Sequence, residues 1–288
     1  MKNPFLAASA VICLASSSQA ITVFSDTFNH GSGAGTFPLG TNIGPRQAGG
    51  TTSSTYTGST AGSGGNNTLL NTNNGLEVLL LRTFNVASGV SQSAVDLDTN
   101  FASALAGNKY SISMTNVNFQ RSSSTITDIW MALSIGDTST GINGPNSGLA
   151  DFGLLLRAQA TGSRLWQDNV NATGFDLTGS GASIGANNGF DSVVVTIDET
   201  AGGGSATAMV EATTANGTFT SSVLNIDFDN STHRFLELRA HQGAAGTNGQ
   251  LMDMRFDSLA IDVIVPIPEP STAMLGVLGS LLLFRRRR

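Results

Sequence analysis

A single cysteine, Cys13, stands in 288 residues, so the chain has no intramolecular disulfide to staple it. Lysine occurs only at Lys2 and Lys109, and charged residues make up 12% of the sequence. All acidic residues but Glu269, and all basic residues but Lys2 and the four terminal arginines, fall between residues 21 and 265. That leaves 19 acidic against 9 basic groups there and a net charge of about −10. A negative, lysine-poor surface argues against nucleic acid and anionic membrane surfaces as partners, because both require clustered cations. Between residues 21 and 265 no segment sustains a 3.6-residue apolar period with caps, which argues against a helical fold. No repeat of fixed period occurs, which argues against a solenoid or propeller. The histidines His30, His233 and His241 have no metal-ligand spacing, and no Gly-x-Ser-x-Gly elbow is present.

Short apolar runs with turn residues between them take the place of helices. Tyr110, Ile112 and Met114 alternate with small polar residues, and Ile129, Met131, Leu133 and Ile135 alternate with Trp130, Ala132 and Ser134. A period of two is the signature of a half-buried strand. Val193, Val195 and Ile197 alternate, then Ala206, Ala208 and Val210 follow an Asp198-to-Gly204 join, which reads as a hairpin. Further runs cover 76–84, 152–156, 223–228, 235–238 and 252–265, and a helical turn fits 99–106 around Phe101 and Leu105. Residues 29–75, rich in Gly, Ser, Thr and Asn, read as irregular. About ten short strands with Gly-rich turns predict an all-β antiparallel fold, a β-sandwich or a barrel, and of these the β-sandwich is the reading adopted. The opening run Thr22-Val23-Phe24-Ser25-Asp26-Thr27-Phe28 and the closing run Met254 to Ile261 resemble those of concanavalin/laminin-G-like jelly rolls. That resemblance implies neighbouring first and last strands.

Both ends carry addresses. Met1-Lys2-Asn3 is a small positive region, Phe5 to Ala15 is apolar, and Ser18-Gln19-Ala20 presents small residues to signal peptidase. Residues 1–20 therefore read as a signal peptide, cleaved between Ala20 and Ile21. At the other end Pro268-Glu269-Pro270 is followed by an apolar run and then Arg285, Arg286, Arg287 and Arg288. The prolines hold an extended segment, and the arginines favour the cytoplasmic side. Ser271 to Phe284, about 14 residues, spans about 21 Å as a helix, short of a hydrocarbon core about 30 Å thick. The tail, 266–288, resembles the PEP-CTERM sorting signal. The resemblance implies an exported bacterial protein held transiently in the inner membrane by a C-terminal transmembrane helix at 271–284. It implies an exosortase that reads Pro268, Glu269 and Pro270 and delivers the protein to the cell surface or outside.

The domain between, 21–265, reads as a structural, non-enzymatic protein of the cell surface or biofilm matrix. The alternatives are a carbohydrate-binding module and a diverged glycoside hydrolase. Glycosidases need two facing carboxyls, and the glutamates of the domain, Glu77, Glu199, Glu211 and Glu237, have no acid two or four positions away on an alternating strand. Trp166, Asp168 and Asn169, within Trp-Gln-Asp-Asn, combine an aromatic plate with hydroxyl-binding groups and are candidates for contact with extracellular polysaccharide. Trp130 is expected on the outer side of its strand. Acidic and Asn-rich loops suit Ca2+, with Asp26 and Asp257 as one candidate group and Asp227, Asp229 and Asn230 as another.

Overall fold

The structure, a computed structural model, describes residues 18–28, 46–47, 55–61, 67–73, 76–84, 91–121, 129–139, 142, 144, 147–157, 162–168, 170–183, 189–228, 232–242 and 251–266. The chain divides into a large compact unit, Ile21–Val263, and a second made of its two ends, Met1–Ala20 with Ile264–Arg288. Of the second, only Ser18–Ala20 and Ile264–Pro266 are described, as strand.

The strands in chain order are β1 (Ser18–Asp26), β2 (Arg46–Gln47), β3 (Thr55–Ala61), β4 (Asn67–Asn73), β5 (Leu76–Phe84), β6 (Ser91–Leu97), β7 (Lys109–Arg121), β8 (Ile129–Gly136) and β9 (Ala150–Leu156). They continue with β10 (Ser163–Gln167), β11 (Val170–Phe175), β12 (Phe190–Asp198), β13 (Ser205–Thr214), β14 (Gly217–Thr220), β15 (Leu224–Asp227), β16 (Phe235–Gln242), β17 (Leu251–Phe256) and β18 (Ser258–Pro266). One helical turn, α1 (Ala102–Leu105), precedes β7.

These strands form two sheets. The ten-stranded sheet runs β14-β13-β12-β7-β17-β5-β4, with β15 also on β13, and with β18 joining β1 to β7. The eight-stranded sheet runs β11-β10-β9-β8-β16-β6-β3-β2. The pairings whose register is described are antiparallel. The first and last described strands are neighbours, as the jelly-roll resemblance implies. The strands at 110–114, 129–135, 193–197 and 206–210 lie where the alternation places them.

Residues 29–75 depart from the expectation of irregular structure: β2, β3 and β4 fall within them. Thr55-Tyr56-Thr57 and Thr60 are strand formers, and pairing of β3 with β6 and of β4 with β5 supplies the rest. Propensity yields there to sheet partners far along the chain.

The alternating apolar residues meet between the sheets. Tyr110, Ile112 and Met114 of β7 and Val193, Val195 and Ile197 of β12 share one core with Ile129, Met131, Leu133 and Ile135 of β8 and Leu236, Leu238 and Ala240 of β16. Two polar ties accompany the apolar contacts. Tyr56 on β3 donates its hydroxyl to Asp26 Oδ2 on β1 at 2.9 Å, joining the sheets, while the Phe28 amide donates to Asp26 Oδ1 at 2.7 Å. At another place the Arg234 guanidinium, 0% exposed, holds both oxygens of Glu199 at 3.0 and 2.8 Å. Tyr110 donates to Glu199 Oε1 at 2.8 Å, and the guanidinium lies 3.7 Å over the Phe228 ring.

Candidate functional site

One strand face carries alternate polar side chains in a region otherwise built for packing. In β16, Leu236, Leu238 and Ala240 enter the core, so Glu237, Arg239 and His241 project from the other side of the eight-stranded sheet. The same alternation turns Gln92, Ala94 and Asp96 of β6, and Trp130, Ala132 and Ser134 of β8, to that outer face. Register then sets the side chains in rows. Gln92, His241 and Trp130 form the first. Ala94, Arg239, Ala132, Leu155 and Arg164 form the second. Asp96, Glu237, Ser134, Gly153 and Trp166 form the third.

The first two rows are wired together. His241 stacks on Trp130 with ring centroids 4.1 Å apart and planes 8° from parallel. Its Nδ1 lies 3.3 Å from Gln92 Nε2, and Gln92 Oε1 accepts a hydrogen bond from Arg239 Nη1. Arg239 pairs through two parallel hydrogen bonds with Glu237, at 2.9 and 2.8 Å. This fork fixes the plane of the guanidinium. Glu237 also accepts the Gly144 amide at 2.8 Å, so the segment between β8 and β9 straps down over the third row. Ile142 on that strap is fully buried. Trp130 remains half-buried, with part of its surface open to solvent.

Asp96 and Glu237 face each other across β6 and β16, a pairing that the spacing of acids along the chain does not show. Directly opposed residues have Cβ atoms about 5 Å apart, near the separation that retaining glycosidases use. Both are sealed, however, at 1% and 0% exposure. Glu237 is committed to Arg239 and Gly144. Neither is placed to meet a glycosidic oxygen.

The Trp166 set is split by the strand period. Trp166 projects from the outer face. Gln167, on the opposite side, lines a cavity of about 630 Å³ with Asp198, Thr200, Asn225 and Asp227. Asp168 turns with φ 42°, and Asn169 lies outside the described residues. The buried indole nitrogen of Trp166 and the buried hydroxyl of Ser134, on either side of Gly153, find no hydrogen-bond partner among the described residues.

Two of the proposed metal carboxylates are engaged elsewhere. Asp26 serves Phe28 and Tyr56, and Asp257 accepts a hydrogen bond from the Asn116 amide group. Asp227 is exposed at the end of β15, and Asp229 lies outside the described residues. Among the described residues no group of three or more His, Cys, Asp or Glu is arranged to hold a metal ion. The same holds for the targeting ends: residues 1–17 and 267–288 lie outside the described residues, and among those described no helix is long and apolar enough to cross a membrane.

His241, Arg239 and Gln92 have no motif to announce them. The signal was the strict alternation in Leu236-Glu-Leu-Arg-Ala-His241, where Glu237, Arg239 and His241 are polar and ionisable although Leu236, Leu238 and Ala240 are core.

No family model matches the chain, and no curated protein matches it. Among solved structures it is similar to winged bean acidic lectin complexed with methyl-α-D-galactose, at 10% identity over 86% of this chain and 99% of that one, with a TM-score of 0.47. It is similar to arcelin-5, a lectin-like defense protein from Phaseolus vulgaris, at 9% identity over 85% and 98%, with a TM-score of 0.45. It is also similar to endo-1,3-β-glucanase from Streptomyces sioyaensis, at 14% identity over 88% and 100%, with a TM-score of 0.44.

Proposed function

We propose that this is an exported cell-surface or matrix protein whose sandwich binds extracellular polysaccharide, without catalysis, on the outer face of the eight-stranded sheet. The carrying observation is the Trp130–His241 stack held by Gln92 and Arg239. A flat aromatic plate supplies apolar contact to the C–H face of a sugar, and the buried chain of hydrogen bonds through Glu237, Arg239 and Gln92 fixes the ring beside it. Ordering these groups in advance lowers the entropy cost of binding. The burial of Asp96 and Glu237 speaks for binding over hydrolysis.

Replacing Trp130 by alanine is expected to weaken retention on a bound polysaccharide at least tenfold, about 1.4 kcal/mol. Affinity electrophoresis over a panel of polysaccharides reads this out. Unchanged retention by the variant would remove the platform, and no binding to any member would remove the reading.

Delivery rests on the two ends. Signal peptidase acts after Ala20, and an exosortase reads Pro268-Glu269-Pro270 while the short apolar segment and Arg285–Arg288 hold the tail at the inner membrane. Changing Pro268, Glu269 and Pro270 to alanine is expected to leave full-length protein in the inner-membrane fraction. Continued cleavage and surface delivery would refute the sorting role.

A further inference from the structure

We infer that the domain carries a second sugar site, on the outer face of the ten-stranded sheet, and so bridges two polysaccharide chains. The ligand there is a neutral, hydroxyl-rich sugar unit of such a chain. The bridging rests on the polysaccharide reading above, whereas the second site stands on other residues.

The site is the cavity of about 630 Å³ beside β12, β13 and β15. Ile197, Ala206, Ala208, Leu224 and Ile226 enter the core, so their neighbours along each strand turn outward. Register then sets Asp198, Thr207 and Asn225 in one row and Ser205 and Asp227 in the next. Gln167 reaches the same cavity from the eight-stranded sheet. Carboxylate, amide and hydroxyl groups thus converge on one concave space, the arrangement that orients a small polar ligand.

Ser205, Thr207, Asn225 and Asp227 are exposed, and among the described residues their side chains make no hydrogen bond or ion pair. Asp198 is held in place instead. Its Oδ1 accepts the Thr200 amide and hydroxyl at 3.1 and 2.5 Å, and its Oδ2 lies 3.8 Å from Lys109 Nζ.

This lining selects the ligand. A carboxylate accepts at both oxygens, and an amide both donates and accepts, which matches adjacent hydroxyls on a sugar ring. Hydrogen bonds from those hydroxyls to Asp227 are charge-assisted. Lys109 offsets Asp198, so Asp227 is the uncompensated charge of the cavity, and it repels a carboxylated or sulfated sugar. One such carboxylate also falls short of Ca2+, which takes about six to eight oxygen ligands. Among the described residues no group of three or more His, Cys, Asp or Glu is arranged to hold a metal ion.

Trp130 faces out of the other sheet, and packed sheets lie about 10 Å apart. The two sites therefore look away from each other, and an extended chain lies on one face or the other. Two outward sites on one domain hold two chains and raise retention on a polymer through valence.

The test counts ligands on the full chain by equilibrium dialysis. The probes are oligosaccharides cut from dextran, laminarin and galactomannan, and light scattering follows each intact polymer as protein is added. Two oligosaccharides per chain and a rise in scattering are expected. The double variant Asn225→Ala with Asp227→Ala is expected to bind one, to lose the rise, and to melt with the parent, because neither side chain bonds within the domain. Trp130→Ala is expected to bind one as well. A single ligand on the parent that Trp130→Ala abolishes, or two on the double variant, overturns the second site and leaves the platform reading standing. A single ligand that persists in Trp130→Ala and vanishes in the double variant keeps the site but removes the platform, and with it the bridging. Two ligands without a rise in scattering overturn the bridging. No binding to any of the three overturns both.

Discussion

Replacing Arg234 by methionine is expected to destabilise the domain by about 3–5 kcal/mol, because it strands a buried carboxylate. In a domain of this size that lowers the melting temperature by roughly 10 °C. Glu199 is 4% exposed and receives both Arg234 hydrogen bonds, the Tyr110 hydroxyl at 2.8 Å and the Gly107 amide at 3.4 Å. Methionine fills much of the volume beside Phe228 but leaves the charge without its counter-ion. The double variant Arg234→Met with Glu199→Gln removes the charge and keeps an acceptor for Tyr110. It is expected to recover at least half of the loss, since a buried ion pair contributes little net stability once both charges are gone. Denaturant titration of the three proteins tests this. A single variant as stable as the parent would show that the pair holds nothing in place.

The same cluster contributes to the alkaline dependence of stability. Burial, followed by the charge of Glu199 and the hydrogen bond to it, pushes the Tyr110 phenol well above its ordinary value near 10. The folded state thus keeps its proton at a pH where the unfolded chain releases it. The stability from this group is present in full below about pH 10 and declines as pH rises beyond it. Tyr110→Phe is expected to make the alkaline decline shallower in pH-dependent unfolding.

The sandwich was readable because its strands are half-buried on one side, and burial on one side imprints a period of two. It was unreadable where the partner strand decides. The runs at 55–61 and 67–73 contain Gly, Asn and Ser and carry no dense apolar stripe, so only their pairing with β6 and β5 identifies them. The site followed the same division. Trp130 was legible as outward-facing from Ile129, Met131, Leu133 and Ile135 alone. The Asp96–Glu237 opposition and the Gln92–His241–Trp130 row arise from strands far apart in sequence, and register between such strands is not written in either one. The Trp166 set was read as a unit because its residues are adjacent. Adjacency in a strand puts neighbours on opposite faces, which separates Trp166 from Gln167.

The strap between β8 and β9 is expected to fail when Gly136 becomes alanine, at a cost of about 3 kcal/mol from overpacking. A Cβ on Gly136 would stand 1.9 Å from the Leu149 carbonyl oxygen and 2.9 Å from its carbon. These are backbone atoms and cannot swing aside as a side-chain end would. That carbonyl accepts the Asp137 amide at 3.2 Å, and Gly136 pairs with Ala150 at an irregularity in the β8–β9 register. The close approach therefore fixes where the strap leaves and rejoins the sheet. Its displacement moves the Gly144 amide off Glu237, and Glu237 orients Arg239, which in turn holds Gln92 beside His241. Glycan retention is accordingly expected to fall along with stability. Gly148→Ala is the matched control, because nothing lies within 4 Å of the added carbon, and its stability is expected to stay within about 0.5 kcal/mol of the parent. If Gly136→Ala melts with the parent and retains polysaccharide equally, the strap does not position the platform. If it melts early yet binds with full affinity once folded, the strap supports the fold without orienting Arg239.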